Sequence, residues 1–192
     1  MTDRNAFDTT TRIAAGDTGK NYDNVAITLH WLTAFLVVVQ FALGQSWGWF
    51  PRPTRHLMVV THMSLGIILT LVVLARLAWR FVFRHHVASL ETGVVRVAST
   101  AVHYVLYLLL VIQAVLGFLA RWEGNEAMNF FGLKIASPFV GAGEKAADQI
   151  QDIHNWVGWA IIILALGHAL AALYHYYVLR DRVLGRMLPA AR

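Results

Sequence analysis

Histidines in otherwise apolar stretches are the residues of this chain best placed to do chemistry. The stretch from Ile153 to Leu179 holds 27 residues, none of them Asp, Glu, Lys or Arg, and includes His154, His168 and His175. The step from His154 to His168 is 14 residues, so in a helix both rings lie on one face, about 21 Å apart along the axis. Polar rings are costly within a bilayer, so histidines repeated on one apolar helix face indicate a functional site.

The composition predicts that these histidines sit in a membrane protein. Of 192 residues, 57% are hydrophobic and 14% charged. The chain therefore reads as an all-α, four-transmembrane-helix bundle with spans at 25–44, 56–75, 97–120 and 153–179. The bundle forms one domain at residues 24–192, and the polar residues 1–23, which lack a signal-peptide pattern, are expected to be a disordered cytoplasmic tail.

Lysines and arginines set the predicted orientation. With the N-terminus inside, the cytoplasmic segments carry eleven of them and the outer loops carry five. This bias places both termini in the cytoplasm, with the membrane crossed four times. The net charge of +5 then follows from basic cytoplasmic loops and does not call for nucleic acid.

Orientation sorts the histidines by depth. His30 begins the first span and His168 lies in the cytoplasmic half of the fourth, so both lie toward the cytoplasm, whereas His62 and His154 lie toward the outside. One histidine on each of two helices at each level is what two bis-histidine haems need, one inner and one outer. His103 also lies at the inner level, so it competes with His30 as a ligand there.

Other residues have candidate roles around such haems. Arg76 follows His62 by 14 residues, so its guanidinium can bind haem propionates, although a stop-transfer arginine is the simpler interpretation. His175 is either a core histidine or a hydrogen-bond partner of a quinone carbonyl. Gly44 and Gly117 fall near the outer level, where glycine lets a flat ring approach the backbone, or where small residues merely pack helices. The chain has no cysteine, which excludes iron–sulfur clusters and covalently attached haem.

Several short motifs resemble one family. They are LHW at Leu29–Trp31, FPR at Phe50–Arg52, RLAWR at Arg76–Arg80 and HNWVGW…LGHALAALYHYY at His154–Tyr177. Together they resemble the bacterial cytochrome b561 family of four-helix, di-haem b cytochromes, over roughly residues 24–188. The resemblance implies two haem b groups, with His30 and His168 as the inner axial pair and His62 and His154 as the outer pair.

The resemblance also implies an activity. Some members oxidise superoxide at the periplasmic face and pass the electron through both haems to ubiquinone, which would make the chain a superoxide:quinone oxidoreductase. Arg52 and Arg55 are then the candidates for drawing in the anion, with Arg121 and Lys134 as less certain ones.

Two alternatives remain open at this point. The chain is alternatively an electron-transfer subunit that links a partner dehydrogenase to the quinone pool, with a docking surface for that redox partner in the outer loops or the tail. A haem-free transporter or metal channel is disfavoured because no span contains Asp or Glu. No strong internal repeat is evident, although three spans carry a histidine near their start.

Overall fold

The computed structural model describes residues 22–83 and 93–188. The expected cytoplasmic tail therefore lies outside the described residues, apart from its last two positions. His85 and His86, which the sequence places in an inner loop, also lie outside them.

Within the described residues, four long helices match the four predicted spans. They are α1 (Asn24–Ser46), α2 (Arg52–Phe83), α3 (Gly93–Glu123) and α4 (Glu144–Tyr174). Each is long and apolar enough to cross a membrane. The helices extend past most of the predicted limits, because charged residues that end an apolar span can continue a helix into the aqueous layers.

The fourth helix begins well before its predicted span of 153–179. Residues 144–152 precede that span and form the first turns of α4 without a break. Gly143 precedes the helix with a φ of 103°, a conformation that glycine adopts readily, and Glu144 occupies the first turn, where a carboxylate is favoured by the helix dipole. At its other end α4 widens into a π-helical turn, His175–Leu179, which stops at the left-handed Arg180.

A capping residue and two prolines define where the first two helices start. Asp23 caps α1 by accepting a hydrogen bond from the Ala26 amide at 2.9 Å, which satisfies one of the helix's unpaired donors. A short turn, Trp47–Trp49, joins α1 to α2. Pro51 and Pro53 stand at the start of α2, where the missing amide hydrogen costs little.

The connection between α3 and α4 forms a small hairpin at the end of the bundle where α2 and α4 begin. Strands β1 (Met128–Phe130) and β2 (Leu133–Ile135) pair antiparallel, with Asn129 opposite Lys134. Ser64, fully buried in α2, accepts a hydrogen bond from the Phe131 amide at 2.8 Å. The hairpin is therefore fixed against α2 two residues beyond His62.

The helices pack as two pairs. α1 contacts α2 closely and α3 contacts α4 closely, whereas α1 and α4 touch at few points. The outward faces carry many exposed Leu, Val and Phe side chains, as expected for surfaces that face lipid. The separation between the pairs leaves room at the centre of the bundle, and the histidines meet there.

Candidate haem-binding sites

Two histidine pairs bridge the helix pairs at two levels. The outer site is defined by His62 of α2 and His154 of α4, whose ring centroids lie 6.3 Å apart with 77° between their planes. The inner site is defined by His30 of α1 and His168 of α4, at 6.4 Å and 74°. The structure thus brings together both pairs that the sequence places at common depths.

The spacing of these rings fits a metal ion held between them. A bond from a metal ion to an imidazole nitrogen is about 2 Å long, so two imidazoles on opposite sides of one ion have centroids roughly 6 Å apart. Nδ1 of His62 and Nδ1 of His154 are buried and have no hydrogen-bond partner, although buried polar atoms normally have one. The described residues contain no cluster of three or more potential ligands, which suits haem because its ring supplies the remaining donors.

The outer site opens into a cleft with about 590 Å³ of empty space, part of it open to solvent. His62, His154 and Gly44 are among the residues that line it. The cleft, the paired rings and the unpartnered nitrogens together fit a planar, metal-containing group.

Glycines stand directly against both outer histidines. A Cβ added to Gly117 would lie 3.3 Å from Cε1 of His154, and one added to Gly44 would lie 3.6 Å from Cε1 of His62. The interpretation that these glycines face the outer site is therefore consistent with their contacts. A Cβ at Gly117 would press on His154, whereas one at Gly44 would make an ordinary van der Waals contact with His62.

Replacing Gly117 is predicted to disable the outer site. In Gly117→Val the added methyl groups press on His154, whose ring is already within 3.3 Å of a single added Cβ, so we expect the outer low-spin haem to be lost. Gly167→Val is the matched control, because a Cβ there meets nothing within 4 Å. Haem content per purified chain checks the prediction, and equal content in both variants would contradict it.

Arg76 lies at the inner site, as its spacing from His62 indicates. Its guanidinium donates to Nδ1 of His30 at 2.8 Å and lies over the Tyr107 ring at 5.1 Å. Because a guanidinium has no acceptor, the hydrogen of the neutral His30 ring must then be on Nε2. A positive charge therefore stands beside one of the two inner histidines.

His103 also lies at the inner site, but its ring is closer to His168 than the ring of His30 is. Its ring centroid is 5.0 Å from that of His168, closer than two imidazoles on opposite sides of one metal ion can be. Nδ1 of His103 and the Ser99 carbonyl are 2.6 Å apart, and since a carbonyl only accepts, this nitrogen is the donor. The geometry favours His30 over His103 as the partner of His168.

His175 meets a carboxylate that sequence reasoning missed. Its Nδ1 lies 2.5 Å from Oδ2 of Asp181, which follows the left-handed turn at Arg180. Burial by itself raises the pKa of Asp181, but the hydrogen bond from His175 and that from the Val183 amide together hold the pKa below its usual value. The only available signal was the Asp-Arg pair after an apolar run, which does not show that the chain turns back.

The outer cations are not equally available. Arg55 donates to the carbonyls of Gly48 and Phe50 at 3.3 and 3.4 Å, so it fixes the turn between α1 and α2 while keeping its charge. Arg121 forms an ion pair with Glu126, which neutralises it locally. Arg52 and Lys134 are exposed.

Known proteins resemble this chain over nearly its full length. The family model described as Prokaryotic cytochrome b561 matches residues 21–190. Cytochrome b561 homolog 2 of Escherichia coli (strain K12) is 30% identical over 188 residues, covering 90% of this chain and 93% of that protein. A probable superoxide oxidase, CybB, of Yersinia pestis is 30% identical over 176 residues, covering 90% of this chain and 98% of its own. Cytochrome b562 of Cereibacter sphaeroides is also 30% identical, over 87% of this chain and 94% of its own.

Proposed function

The chain belongs to the prokaryotic cytochrome b561 family, and from that premise we propose that it oxidises superoxide at the outer face and delivers the electrons to ubiquinone at the inner face. Membership makes it a multi-pass protein of the bacterial inner membrane, a haem-containing cytochrome b that transfers electrons. The proposed electron path is supported by two pairs of histidines at two levels of the bundle. Their ring centroids lie 6.3 and 6.4 Å apart.

The chain's own histidines would hold the two haems. His62 and His154 would hold one haem b, and His30 and His168 would hold the other. A haem bound in each site supplies a centre that accepts and releases one electron at a time. The two levels are separated by the 14 residues from His154 to His168, about 21 Å along α4.

Arg76 would change partner when a haem is bound at the inner site. If His30 holds the iron through Nε2, its Nδ1 carries the ring hydrogen and needs an acceptor. Arg76 offers only donors, so its guanidinium, which contacts this Nδ1 at 2.8 Å, would turn to another partner. A haem propionate would be a suitable partner, because a guanidinium can bind a carboxylate with two hydrogen bonds.

Cations at the outer end draw in the anionic substrate. Arg52 is exposed and Arg55 keeps its charge while it bonds carbonyls, so both are suited to attract superoxide. Each superoxide loses one electron and leaves as dioxygen. Two are consumed for each ubiquinone, which takes up two electrons and two protons to become ubiquinol.

The inner end provides the proposed quinone site. His175 lies seven residues beyond His168 on α4 and its turn, and its Nδ1 hydrogen is held by Asp181. The carboxylate fixes the orientation of the ring and stabilises the ring when it is protonated. His175 is thus positioned to hydrogen-bond a quinone carbonyl and to supply one of the protons that reduction consumes.

Removing His175 is predicted to slow quinone reduction without changing the haem spectrum. His175→Leu removes the proton donor. Asp181→Asn should slow quinone reduction less than His175→Leu does, because the imidazole remains. The lowered pKa of Asp181 means that the carboxylate stays ionised at neutral pH and loses its interaction only as the pH falls through that lowered pKa. Asp181 therefore adds no titration to the rate between about pH 5 and 8.

The rate of ubiquinol formation in stopped-flow assays checks this prediction. His56→Gln, an exposed histidine at the opposite end of the bundle, is the matched control and should leave the rate unchanged. Unaltered quinone kinetics in His175→Leu would contradict the role given to His175.

The proposed reaction is tested in proteoliposomes that contain ubiquinone and the purified protein. A steady source of superoxide on the outer side should yield ubiquinol, and superoxide dismutase on that side should abolish the yield. Ubiquinol that forms only when a dehydrogenase partner is added would instead favour the role of an electron-transfer subunit. Absence of haem from the purified protein would overturn both.

A further inference from the structure

The two helix pairs repeat one arrangement of polar residues and glycines. In α1 and α3 a histidine is followed after 10 residues by a glutamine and after a further 4 by a glycine. The matched residues are His30, Gln40 and Gly44 in α1 and His103, Gln113 and Gly117 in α3. The residues around the histidines therefore form an internal repeat, which was not evident from the sequence as a whole.

The second helices of the two pairs, α2 and α4, also correspond to each other. A histidine is followed by a glycine 4 residues later and by a further basic residue after 14. The matched residues are His62, Gly66 and Arg76 in α2 and His154, Gly158 and His168 in α4. The outer histidines are thus counterparts of each other, whereas the inner pair His30 and His168 are not.

Matched contacts support the correspondence. Each outer histidine packs against the glycine of its neighbouring helix, as described above for Gly44 and Gly117. Each glutamine places its amide nitrogen over the glycine one turn beyond the outer histidine. A Cβ at Gly66 would lie 2.8 Å from Nε2 of Gln40, and one at Gly158 would lie 3.3 Å from Nε2 of Gln113.

The two glutamines differ in one contact. Nε2 of Gln40 donates to the backbone carbonyl of His62 at 2.9 Å. Nε2 of Gln113 instead lies 3.2 Å from ring atom Nε2 of His154, and because an amide nitrogen is a donor, the ring nitrogen accepts. Each amide still has an acceptor oxygen, Oε1, that is buried without a partner, and both glutamines line the outer cleft.

We propose that Gln40 and Gln113 are matched positioning residues of the outer site, one from each half of a duplicated helix pair. Each ties its own helix to the neighbour that carries an outer histidine, as polar side chains between membrane helices commonly do. When the ring nitrogen of His154 is engaged by iron, Gln113 donates to the His154 carbonyl, as Gln40 does to that of His62. The two amides together fix the separation and the plane angle of the outer rings.

This inference rests on the proposed haem at His62 and His154, and the experiment separates the two. Haem content of the unaltered protein tests the proposed function. Gln40→Leu and Gln113→Leu, in the full-length membrane protein, test the inference by removing each amide at similar volume. Gln45→Leu is the control for a glutamine that lines the same cleft without contacting an outer histidine, since Gln45 bonds Asn155 at 2.9 Å on the exposed rim.

The ferric electron paramagnetic resonance spectrum is the main measurement, because the angle between axial ring planes sets the spread of g values in a low-spin haem. We expect each of the two substitutions to shift the g values of the same haem, identified as the outer one because its signal is absent from His62→Ala. We also expect each to speed the transfer of that haem to apomyoglobin by about 10- to 100-fold, the usual effect of losing a partner that orients a ligand.

The signals of the inner haem and of Gln45→Leu should remain unchanged. Two haems with g values that neither glutamine substitution moves would overturn the inference while leaving the proposed function intact. Loss of both haems together in these variants would overturn it as well, since a positioning role at the outer site predicts a selective effect.

Discussion

His62→Ala and His154→Ala are each expected to remove one low-spin b-type haem and to leave the other in place. Both rings face the same space at a centroid distance of 6.3 Å, so loss of either leaves one axial position empty. The inner pair shares no ligand with the outer one, and it lies about 21 Å further along α4. Haem content should therefore fall from about two to about one per chain, as measured by the pyridine haemochrome assay.

The two variants should also agree with each other. A shared site predicts that His62→Ala, His154→Ala and the double variant all retain the same remaining haem signal. His56→Gln serves as the control for a nearby histidine that is exposed. A double variant that loses more haem than either single variant would show that these histidines serve different sites.

The inner site gives the second large effect, because three histidines compete for it. We expect His30→Ala to abolish the inner low-spin signal and His103→Ala to preserve it. The reason is distance: His168 lies 6.4 Å from His30 but only 5.0 Å from His103 by ring centroid, and roughly 6 Å is needed on opposite sides of one metal ion.

His103→Ala should still alter the inner site slightly. Its ring packs edge-on to His168, so a small shift in the inner g values is expected without loss of haem. The opposite pattern, an intact inner haem in His30→Ala and a missing one in His103→Ala, would reassign the axial ligand. Both inner ligands, His103 and His168, would then come from the same helix pair, α3 and α4.

The pairing of the histidines at two levels of the bundle was predictable because helical geometry is regular. A step of 14 residues returns a side chain close to the same face, so His154 and His168 reveal both levels of the bundle from sequence alone. The charge bias of the loops then assigns His30 and His62 to one level each. No knowledge of the packing is needed for that assignment, and the structure brings the expected rings together.

The choice between His30 and His103 was not predictable in the same way. Both lie at one depth, and only the packing of α1 and α3 around α4 decides how far each ring is from His168. The duplicated arrangement was hidden for a related reason. The same spacings recur in matching helices, but the loops between the helices differ in length. The correspondence between Gln40 and Gln113 therefore becomes clear only when the two helix pairs are compared side by side.

Contacts made by chain ends and loops were also beyond the sequence pattern. Asp181 reaches His175 because the backbone turns into the left-handed region at Arg180, which few non-glycine residues adopt. Ser64 looked like an ordinary small residue of a membrane helix, yet it holds the outer hairpin through the Phe131 amide. Such contacts depend on where a loop folds back, which hydropathy does not encode.

The visible spectrum of the purified, oxidised protein after a pulse of superoxide shows directly whether superoxide reduces the two haems. We expect the bands of reduced b-type haem with superoxide and with dithionite, at about two haems per chain. Superoxide dismutase added before the pulse should prevent the first and not the second. Bands with dithionite alone would contradict superoxide oxidation, and no bands with either reductant would mean that the two histidine pairs hold no haem.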